Sequence, residues 1–479
     1  MMSSVHHRTR TGMQAGLVCA VIFLLAGFCF GEPAISLSPT EGPPTTSLKV
    51  SGSGFAPHAK IDLYFDTKDE ALAVANAKGT FSGVEISVPA SALPGNHKIR
   101  AVERSDKASA HAAFLVRTNW SQFHRQNMER WNPYENVLNV NNAGNLQVKW
   151  NHVLGQMVNE CVSTSSPAVD HGVVYVGTED GMLYALKASN GNTLWSYQTA
   201  AGGANLSSPG IAKGIVYFGS IDGLVYAFNA TNGAKLWTYP TGAEVDSSPT
   251  IVNGVVYIGS NDGYLYALNA STGHLLWKYA TGGKVTDTPA VENGIVYFGS
   301  YDGFVYALHA GTGKKLWSYY VGGNYEIWSA SPAVANGMVY VGAGDTDYVY
   351  ALNAKTGQKI WGQYIGSGYI AVSSPALAYG VVYIGSGDGN LYALDASTGV
   401  ILWTYNTGNV LHTSSAVANG VVYFGTNNWV FYAADAKTGA LLWFHNAYYP
   451  VAGSPAIADG VAYVPDCGGN FYAFSLPKN

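Results

Sequence analysis

A repeat of roughly 40 residues fills the C-terminal three quarters of the chain and limits its possible folds more than any other feature. One copy, SSPTIVNGVVYIGSNDGYLYALNASTGHLLWKYATG, runs from Ser247 to Gly282. Its four apolar runs are separated by Asn-Gly, Asp-Gly and Thr-Gly, dipeptides that supply the positive-φ residues of tight hairpin turns. Each copy therefore predicts four antiparallel strands, which is the blade of a β-propeller.

The Tyr in the second apolar run recurs once in every copy, so the number of these tyrosines gives the number of blades. It stands at Tyr175, Tyr217, Tyr257, Tyr297, Tyr340, Tyr383, Tyr423 and Tyr463. The sequence therefore predicts an all-β fold with an eight-bladed propeller over residues 145–479.

A Trp closes the fourth run of seven copies, and its absence from the eighth predicts how the ring closes. The seven are Trp195, Trp237, Trp277, Trp317, Trp361, Trp403 and Trp443. The eighth copy stops at Ser475, whereas LQVKW with Trp150 precedes the first copy. We expect that early strand to complete the last blade, which removes the open sheet edges of the ring.

The first 31 residues have the layout of a secretory signal. Arg8 and Arg10 precede an apolar run from Ala15 to Phe30, shorter than the roughly 20 residues needed to span a bilayer. Cleavage after Gly31 and a secreted or periplasmic location, with no membrane span in the mature chain, are expected; an uncleaved anchor is the alternative. The remaining 23 basic and 30 acidic residues indicate no nucleic-acid partner.

Two segments lie between the signal and the propeller. Residues 34–117 contain about seven short apolar runs punctuated by Gly and Pro, which predicts a small antiparallel sandwich. Residues 118–144 form a linker with Trp120, Phe123, His124, Trp131 and Tyr134. We expect these rings to pack against the propeller rim or the sandwich.

Both folded regions resemble known families. LSPTEGPPTTSLKVSGSGFAP is similar to the opening of IPT/TIG-like immunoglobulin-fold domains, and ALNASTGHLLW, ending at Trp277, resembles the tryptophan-docking repeat of PQQ-type propellers. That second group is quinoprotein alcohol dehydrogenase-like and includes the BamB-like scaffold of outer-membrane protein assembly. The resemblance implies that the repeated Trp, and Trp150 with it, wedges between neighbouring blades with its N–H bonded.

The sequence departs from the dehydrogenases of this group, which have adjacent cysteines beneath the quinone and a Ca²⁺ beside an Asp base. Beyond the signal it has only Cys161 and Cys467, which are not adjacent. We therefore expect a non-catalytic binding or scaffold protein without a cofactor, with a protein or glycan partner in the cell envelope or outside the cell. One alternative is a PQQ- and calcium-dependent dehydrogenase with Glu160 or Glu326 as its carboxylate; another is a carbohydrate-binding surface protein.

The long connections between blades hold the candidate ligand residues, because long loops on a rigid scaffold commonly carry binding side chains. The candidates are Asn159, Glu160, Tyr325, Glu326, Trp328, Tyr369, His412, Trp429, Tyr448 and Tyr449. The alternative is that these side chains only cap a water-filled channel.

Two cysteines and the acidic turns complete the predicted site. Cys161 and Cys467 fall in blades one and eight, so we expect a disulfide across the ring closure, with two free thiols as the alternative. Its loop of about 300 residues would stabilise the fold by roughly 5 to 6 kcal/mol in the chain-entropy model. The Asp-Gly pairs are interpreted as turns, and no metal site is expected. Asp345 and Asp347 form the one acidic cluster that merits a metal test.

Overall fold

The fold is a computed structural model that describes residues 32–125, 128–155, 165–178, 180–199, 207–322, 330–343, 346–366, 373–411 and 413–477. Within these ranges the regular elements are β-strands, apart from one 3₁₀ turn at Ala143–Asn145. None of the described residues belongs to a helix long and apolar enough to cross a membrane. The predicted all-β class is confirmed.

The N-terminal region is a two-sheet sandwich. Its strands are β1 (Ala34–Ser38), β2 (Glu41–Gly42), β3 (Ser47–Ser53), β4 (Lys60–Phe65), β5 (Lys68–Val74), β6 (Phe81–Ser87), β7 (Gly95–Glu103) and β8 (Ser109–Val116). The sheets have the orders β1-β3-β6 and β2-β8-β7-β4-β5, and their inward side chains, including Val50 and Phe114, share one buried core. The kinship of this sandwich with immunoglobulin-fold domains stays a prediction.

A short strand, β9 (Trp131–Asn132), and the 3₁₀ turn precede β10 (Gln147–Val153). The described residues then form the eight predicted blades. Their first strands are β11 (Ala168–Asp170), β15 (Gly210–Ala212), β19 (Thr250–Val252), β23 (Ala290–Glu292), β27 (Ala333–Ala335), β31 (Ala376–Ala378), β35 (Ala416–Ala418) and β39 (Ala456–Ala458). Seven of the blades are four-stranded sheets, and the seventh blade along the chain has a fifth strand because β9 pairs in parallel with β35.

The second strands are longer and almost entirely buried. They are β12 (Val173–Gly177), β16 (Ile215–Gly219), β20 (Val255–Gly259), β24 (Ile295–Gly299), β28 (Met338–Ala343), β32 (Val381–Gly385), β36 (Val421–Gly425) and β40 (Val461–Pro465). The third strands are β13 (Met182–Lys187), β17 (Leu224–Asn229), β21 (Tyr264–Asn269), β25 (Phe304–His309), β29 (Tyr348–Asn353), β33 (Asn390–Asp395), β37 (Val430–Asp435) and β41 (Asn470–Ser475).

The fourth strands lie at the outside of the ring, and their side chains alternate between partly buried and exposed. They are β14 (Thr193–Gln198), β18 (Lys235–Pro240), β22 (Leu275–Ala280), β26 (Lys315–Tyr320), β30 (Lys359–Tyr364), β34 (Ile401–Asn406) and β38 (Leu441–Asn446). In the eighth blade this place is taken by β10, which pairs antiparallel with β41. First strands of successive blades touch all the way round, and β39 returns to β11. The predicted closure is confirmed.

Turn chemistry explains why each repeat folds into hairpins. In blade three, Asn253 and Gly254 have φ values of 51° and 79°, the two positive angles that a tight two-residue turn between β19 and β20 requires. Asp262 begins the next turn, where its carboxylate accepts hydrogen bonds from the Tyr264 N–H at 3.0 Å and the Tyr266 hydroxyl at 2.6 Å. The interpretation of the Asp-Gly pair as a turn is therefore confirmed in this blade.

One carbonyl group joins each blade to the next. The Trp277 indole N–H and the Tyr257 hydroxyl, both in blade three, donate to the Ala310 carbonyl of blade four at 2.9 and 3.2 Å. The same indole bond across blades is made by Trp150, Trp195, Trp237, Trp277, Trp317, Trp361 and Trp403. Trp443 packs against Phe474 of the last blade, with ring centroids 5.0 Å apart.

The glycine of the Thr-Gly turn has a second role beside its backbone angle. Gly273 has a φ of 72°, and a Cβ added there would lie 2.7 Å from the indole ring of Trp237 in the preceding blade. Gly254 in the same blade has a similar φ of 79°, but nothing lies within 4 Å of its would-be Cβ. The first glycine is therefore required by blade packing, and the second by the turn alone.

We expect Gly273→Ala to destabilise the protein more than Gly254→Ala. Both changes force an alanine into the left-handed backbone region, which costs roughly 1 kcal/mol of folding stability. Only Gly273→Ala also pushes a methyl group into a docked indole, which adds about 1 to 3 kcal/mol. Chemical denaturation of the two variants measures the difference. Equal losses of stability would show that the Trp237 contact does not hold the blades together.

Candidate functional site

The propeller has two faces of different construction. The loop face carries the connections between blades and the hairpins between second and third strands. The hairpin face carries the hairpins between first and second strands and those between third and fourth strands. The sandwich contacts the hairpin face, where His171 bonds Glu41 and the Arg117 guanidinium lies 3.7 Å from the Asp459 carboxylate. Partner binding on the hairpin face must therefore accommodate the sandwich at blades one and eight.

His171 carries the positive charge of this contact. Its Nδ1 lies 2.6 Å from the Asp170 carboxylate, and its Nε2 meets Glu41 of the sandwich. The hydrogen bond to Asp170 and the two acidic charges raise the pKa of His171 to about 9. The imidazole is therefore protonated at neutral pH, and the ion pair holds the sandwich to blade one.

The linker runs inside the ring of first strands. Its residues 118–125 and 128–135, named here the axial segment, contact the eight blades in sequence order. The contacts with blades one to eight are made by Trp120, Ser121, Gln122, His124, Met128, Glu129, Arg130 and Asn132. The expectation that the linker aromatics pack on the rim or the sandwich is wrong for Trp120, which is 1% exposed and pairs with Val169 of an innermost strand.

The axial segment pairs backbone groups that the first strands leave open toward the channel. The amides of Ile211 and Leu377 each donate to a carbonyl of the segment at 2.7 Å, and the Val417 amide donates to the Arg130 carbonyl at 3.0 Å. An innermost strand has no further blade strand on that side, and buried amides without partners are costly. The axial segment therefore completes the inner edge of the propeller.

Arg130 is the most deeply placed charge of the axial segment. Its guanidinium donates to the carbonyls of Phe123, Ser414, Ser415 and Pro455 at 2.7 to 3.4 Å and stacks 4.4 Å from the Phe123 ring. Complete burial lowers its pKa to about 9, and burial with the nearby Arg130 charge lowers that of His124 to about 3. These side chains bond backbone carbonyls of the protein itself, so their role is structural.

A ring of hydroxyl groups surrounds the channel nearer the loop face. The Ser166 amide donates to the Ser208 hydroxyl at 2.9 Å, and the Ser208 amide to the Ser248 hydroxyl at 2.8 Å. The same bond continues from Thr288 through Ser331, Ser374, Ser414 and Ser454, and returns to Ser166. This ring explains the Ser or Thr that starts each repeat, which Pro follows in seven of the eight.

Asp287 breaks the repeat one position earlier. There Ser165, Ser207, Ser373 and Thr413 accept the amide of the glycine that ends their own second strand. Asp287 is fully buried, and neither of its carboxylate oxygens has a hydrogen-bond partner in the described part of the chain. Burial raises its pKa to about 7, and the nearby Gly299 amide offsets part of that rise.

Sequence reasoning missed Asp287, although aligning the eight repeats exposes it as the one carboxylate at that position. Perturbed buried carboxylates of this kind concentrate at functional sites. Asp287 therefore joins the candidate residues of the loop face.

Three predicted ligand residues lie together on the loop face at blades seven and eight. Trp429 is 51% exposed with a φ of 70°, and its carbonyl accepts the Ala447 amide at 2.7 Å. This bond places Tyr448, which is 69% exposed, next to Trp429 along the face. Tyr449 is partly exposed and packs against Gly468. These three residues form the blade 7–8 cluster.

The other predicted ligand residues lie outside the described residues. They are Asn159, Glu160, Tyr325, Glu326, Trp328, Tyr369 and His412. Cys161 and Asp345 lie outside as well, whereas Cys467 is buried and disulfide-bonded. The pairing of Cys161 with Cys467 stays a prediction. Among the described residues, no three His, Cys, Asp or Glu side chains come together as a metal-binding group.

Comparison with known proteins agrees with this architecture. The sequence model of the PQQ_2 family, described as outer membrane protein assembly factor BamB, matches residues 135–245, 221–326, 322–427 and 407–476. The chain belongs to this family of PQQ-type propellers. No curated protein matches it significantly.

Solved structures share the fold at low sequence identity. The quinohemoprotein alcohol dehydrogenase ADHIIG of Pseudomonas putida HK5 has 18% identity and a TM-score of 0.64, covering 75% of this chain and 80% of its own. BamB of Moraxella catarrhalis has 19% identity and a TM-score of 0.59, covering 69% and 99%. The quinohemoprotein alcohol dehydrogenase of Comamonas testosteroni has 15% identity and a TM-score of 0.66, covering 76% and 82%.

The residues that the structure describes do not form the quinone and calcium site that the dehydrogenase branch implies; Glu160 and Glu326 lie outside them. The cysteines beyond residue 31 are not adjacent. The described guanidinium nearest the channel centre, Arg130, is bonded to four carbonyl oxygens. Asp287 is a single carboxylate, whereas Ca²⁺ takes six to eight oxygen ligands.

We expect Asp287→Ser to stabilise the protein, increasingly as pH rises from about 4 to 7. Because the pKa of Asp287 is higher in the folded state than its ordinary 3.8, the unfolded chain releases the proton first and folding loses stability across that window. The gain should reach about 2 to 4 kcal/mol near pH 7 and then level off. Denaturation at several pH values measures it.

The matched control is Ser207→Asp, which places the same carboxylate in blade two. It should reproduce the pH-dependent loss of stability. A pH-independent difference between Asp287→Ser and the wild type would contradict the burial of an unpaired carboxylate.

Proposed function

We propose that the chain is an exported, non-catalytic binding protein that holds a protein partner of the cell envelope on its loop face. The blade 7–8 cluster is the centre of that contact. The sandwich, attached to the hairpin face by His171 and Arg117, spaces or anchors the propeller. No cofactor takes part.

The axial segment is the observation that carries this proposal. Its side chains lie inside the ring of first strands, and the buried guanidinium of Arg130 is bonded to backbone carbonyls. A channel lined by groups already used for structure offers few free polar atoms to a small substrate. The loop face, on the opposite side from the sandwich, remains accessible to a large partner.

The composition of the blade 7–8 cluster suits a protein interface. Trp and Tyr are enriched among the residues that contribute most to binding between proteins. Trp429 and Tyr448 are both more than half exposed on the isolated chain. The family description, an outer membrane protein assembly factor, and the similarity to BamB support a protein partner in the envelope. The predicted secretory signal supports the same location.

Site-specific photo-crosslinking tests the proposal directly. A photoreactive amino acid at position 429 or 448 should link to a discrete partner in cells that produce the protein. The same group at Thr312, an exposed residue of the hairpin face in blade four, is the control and should give no such product. Trp429→Ala with Tyr448→Ala should weaken binding of that partner at least tenfold.

Two results would contradict the proposal. One is crosslinking from Thr312 that equals crosslinking from the cluster. The other is saturable micromolar binding of PQQ with Ca²⁺ to the mature protein, accompanied by dye-linked oxidation of alcohols or sugars. That second result would identify a compact quinoprotein dehydrogenase instead.

A further inference from the structure

Blades four and five differ from the other six at one corner of the loop face. There the first residue of the third strand pairs with the last residue of the fourth strand. In six blades the pairs are Met182–Gln198, Leu224–Pro240, Tyr264–Ala280, Asn390–Asn406, Val430–Asn446 and Asn470–Val153. Blades four and five carry Phe304–Tyr320 and Tyr348–Tyr364. Both members of the pair are aromatic only in these two neighbouring blades.

These four residues, named the aromatic corner, are paired within each blade. The three tyrosines are exposed to solvent, and Phe304 is partly buried. The ring centroids of Phe304 and Tyr320 are 5.1 Å apart, and those of Tyr348 and Tyr364 are 5.6 Å apart. The ring planes are inclined by 55° and 63°, so the rings do not cover each other's faces. Tyr320, Tyr348 and Tyr364 are 49%, 38% and 44% exposed. Tyr348 also stacks on Tyr350, with ring centroids 5.8 Å apart. A ligand can therefore contact only the solvent-facing part of the Tyr348 and Tyr364 rings.

Polar groups adjoin the aromatic corner. A shallow recess with a cavity volume of about 10 Å³ lies between blades five and six, and its lining includes Asp347, Tyr348 and Ser386. This volume holds about one water molecule, so the recess adds polar groups beside the aromatic corner but does not enclose a ligand. The hydroxyl oxygen of Thr346, next to Asp347, is buried without a hydrogen-bond partner in the described part of the chain.

We propose that the aromatic corner binds a neutral oligosaccharide. The face of an aromatic ring is negative, and it attracts the weakly positive C–H groups on the flat side of a sugar ring. The tyrosine hydroxyls and the polar groups of the recess can bond the sugar hydroxyls at its edge. The aromatic corner and the recess contain no Lys or Arg, so an acidic polysaccharide is not favoured.

A proline-rich peptide is the main rival ligand for exposed aromatic side chains. Such peptides dock in grooves lined by aromatic rings. Here the two aromatic pairs stand at the strand ends of separate blades, and the recess beside them offers an acidic and a hydroxyl side chain. A sugar chain, whose rings stack on tyrosine faces while its hydroxyls bond these polar groups, matches this arrangement better.

This inference is independent of the proposed protein contact. The blade 7–8 cluster and the aromatic corner lie on different blades, so each can fail while the other holds. A double variant, Tyr348→Ser with Tyr364→Ser, tests the corner. Tyr264→Ser changes the tyrosine at the same strand position of blade three, where the paired residue is Ala280, and is the matched control. Tyr364→Phe keeps the ring and removes only its hydroxyl.

Calorimetric titration with cellohexaose, xylohexaose, mannohexaose and chitohexaose measures binding to the mature full-length protein. We expect at least one sugar to bind, the double variant to lose at least tenfold in affinity, and Tyr364→Phe and Tyr264→Ser to stay within about threefold of wild type. The thermal midpoint of each variant checks that the fold is kept.

Three results would overturn the inference: no heat with any of the four sugars, equal affinity in the wild type and the double variant, or equal losses in the double variant and Tyr264→Ser. Saturable binding of a proline-rich peptide that the double variant abolishes, without sugar binding, would assign the aromatic corner to a peptide ligand.

Discussion

The contact between neighbouring blades depends on one backbone carbonyl that accepts two side-chain hydrogen bonds. The indole of Trp277 and the hydroxyl of Tyr257, both in blade three, donate to the Ala310 carbonyl of blade four. The Trp277 ring also packs against Gly313 of blade four. A four-stranded blade cannot bury both of its faces alone. Repeating this contact around the ring buries them and fixes the relative position of all blades, which gives the loops a rigid base.

The inner edge of such a ring presents a second problem, which the axial segment solves. Without the axial segment the first strands would face the channel with unpaired backbone groups. The segment bonds their amides or carbonyls from blade one to blade eight. The cost is two buried arginines, Arg125 and Arg130, whose pKa values burial lowers to about 10 and about 9. Because these guanidinium groups are bonded to backbone carbonyls, we propose that partners bind at the loop face and not within the channel.

The repeat allowed the blades, their number, the docking tryptophans and the ring closure to be predicted, since each follows from a period that recurs eight times. The axial segment has no period. Gln122, Arg130 and Asn132 acquire their partners only when distant strands assemble around them, so the segment resembled a linker. Asp287 was detectable as a departure from the repeat, but its burial was not. The aromatic corner was hidden because its members are far apart in sequence.

Hydrogen–deuterium exchange of the innermost strands is the most direct test of this account. The amides of Ile211, Leu377 and Val417 donate to the axial segment. They should exchange as slowly as those of the buried second strands, such as Val256, because local opening would have to displace the segment. Exchange as fast as in the exposed turn at Asn253 would contradict the account. It would show that the channel is open to water and to small ligands.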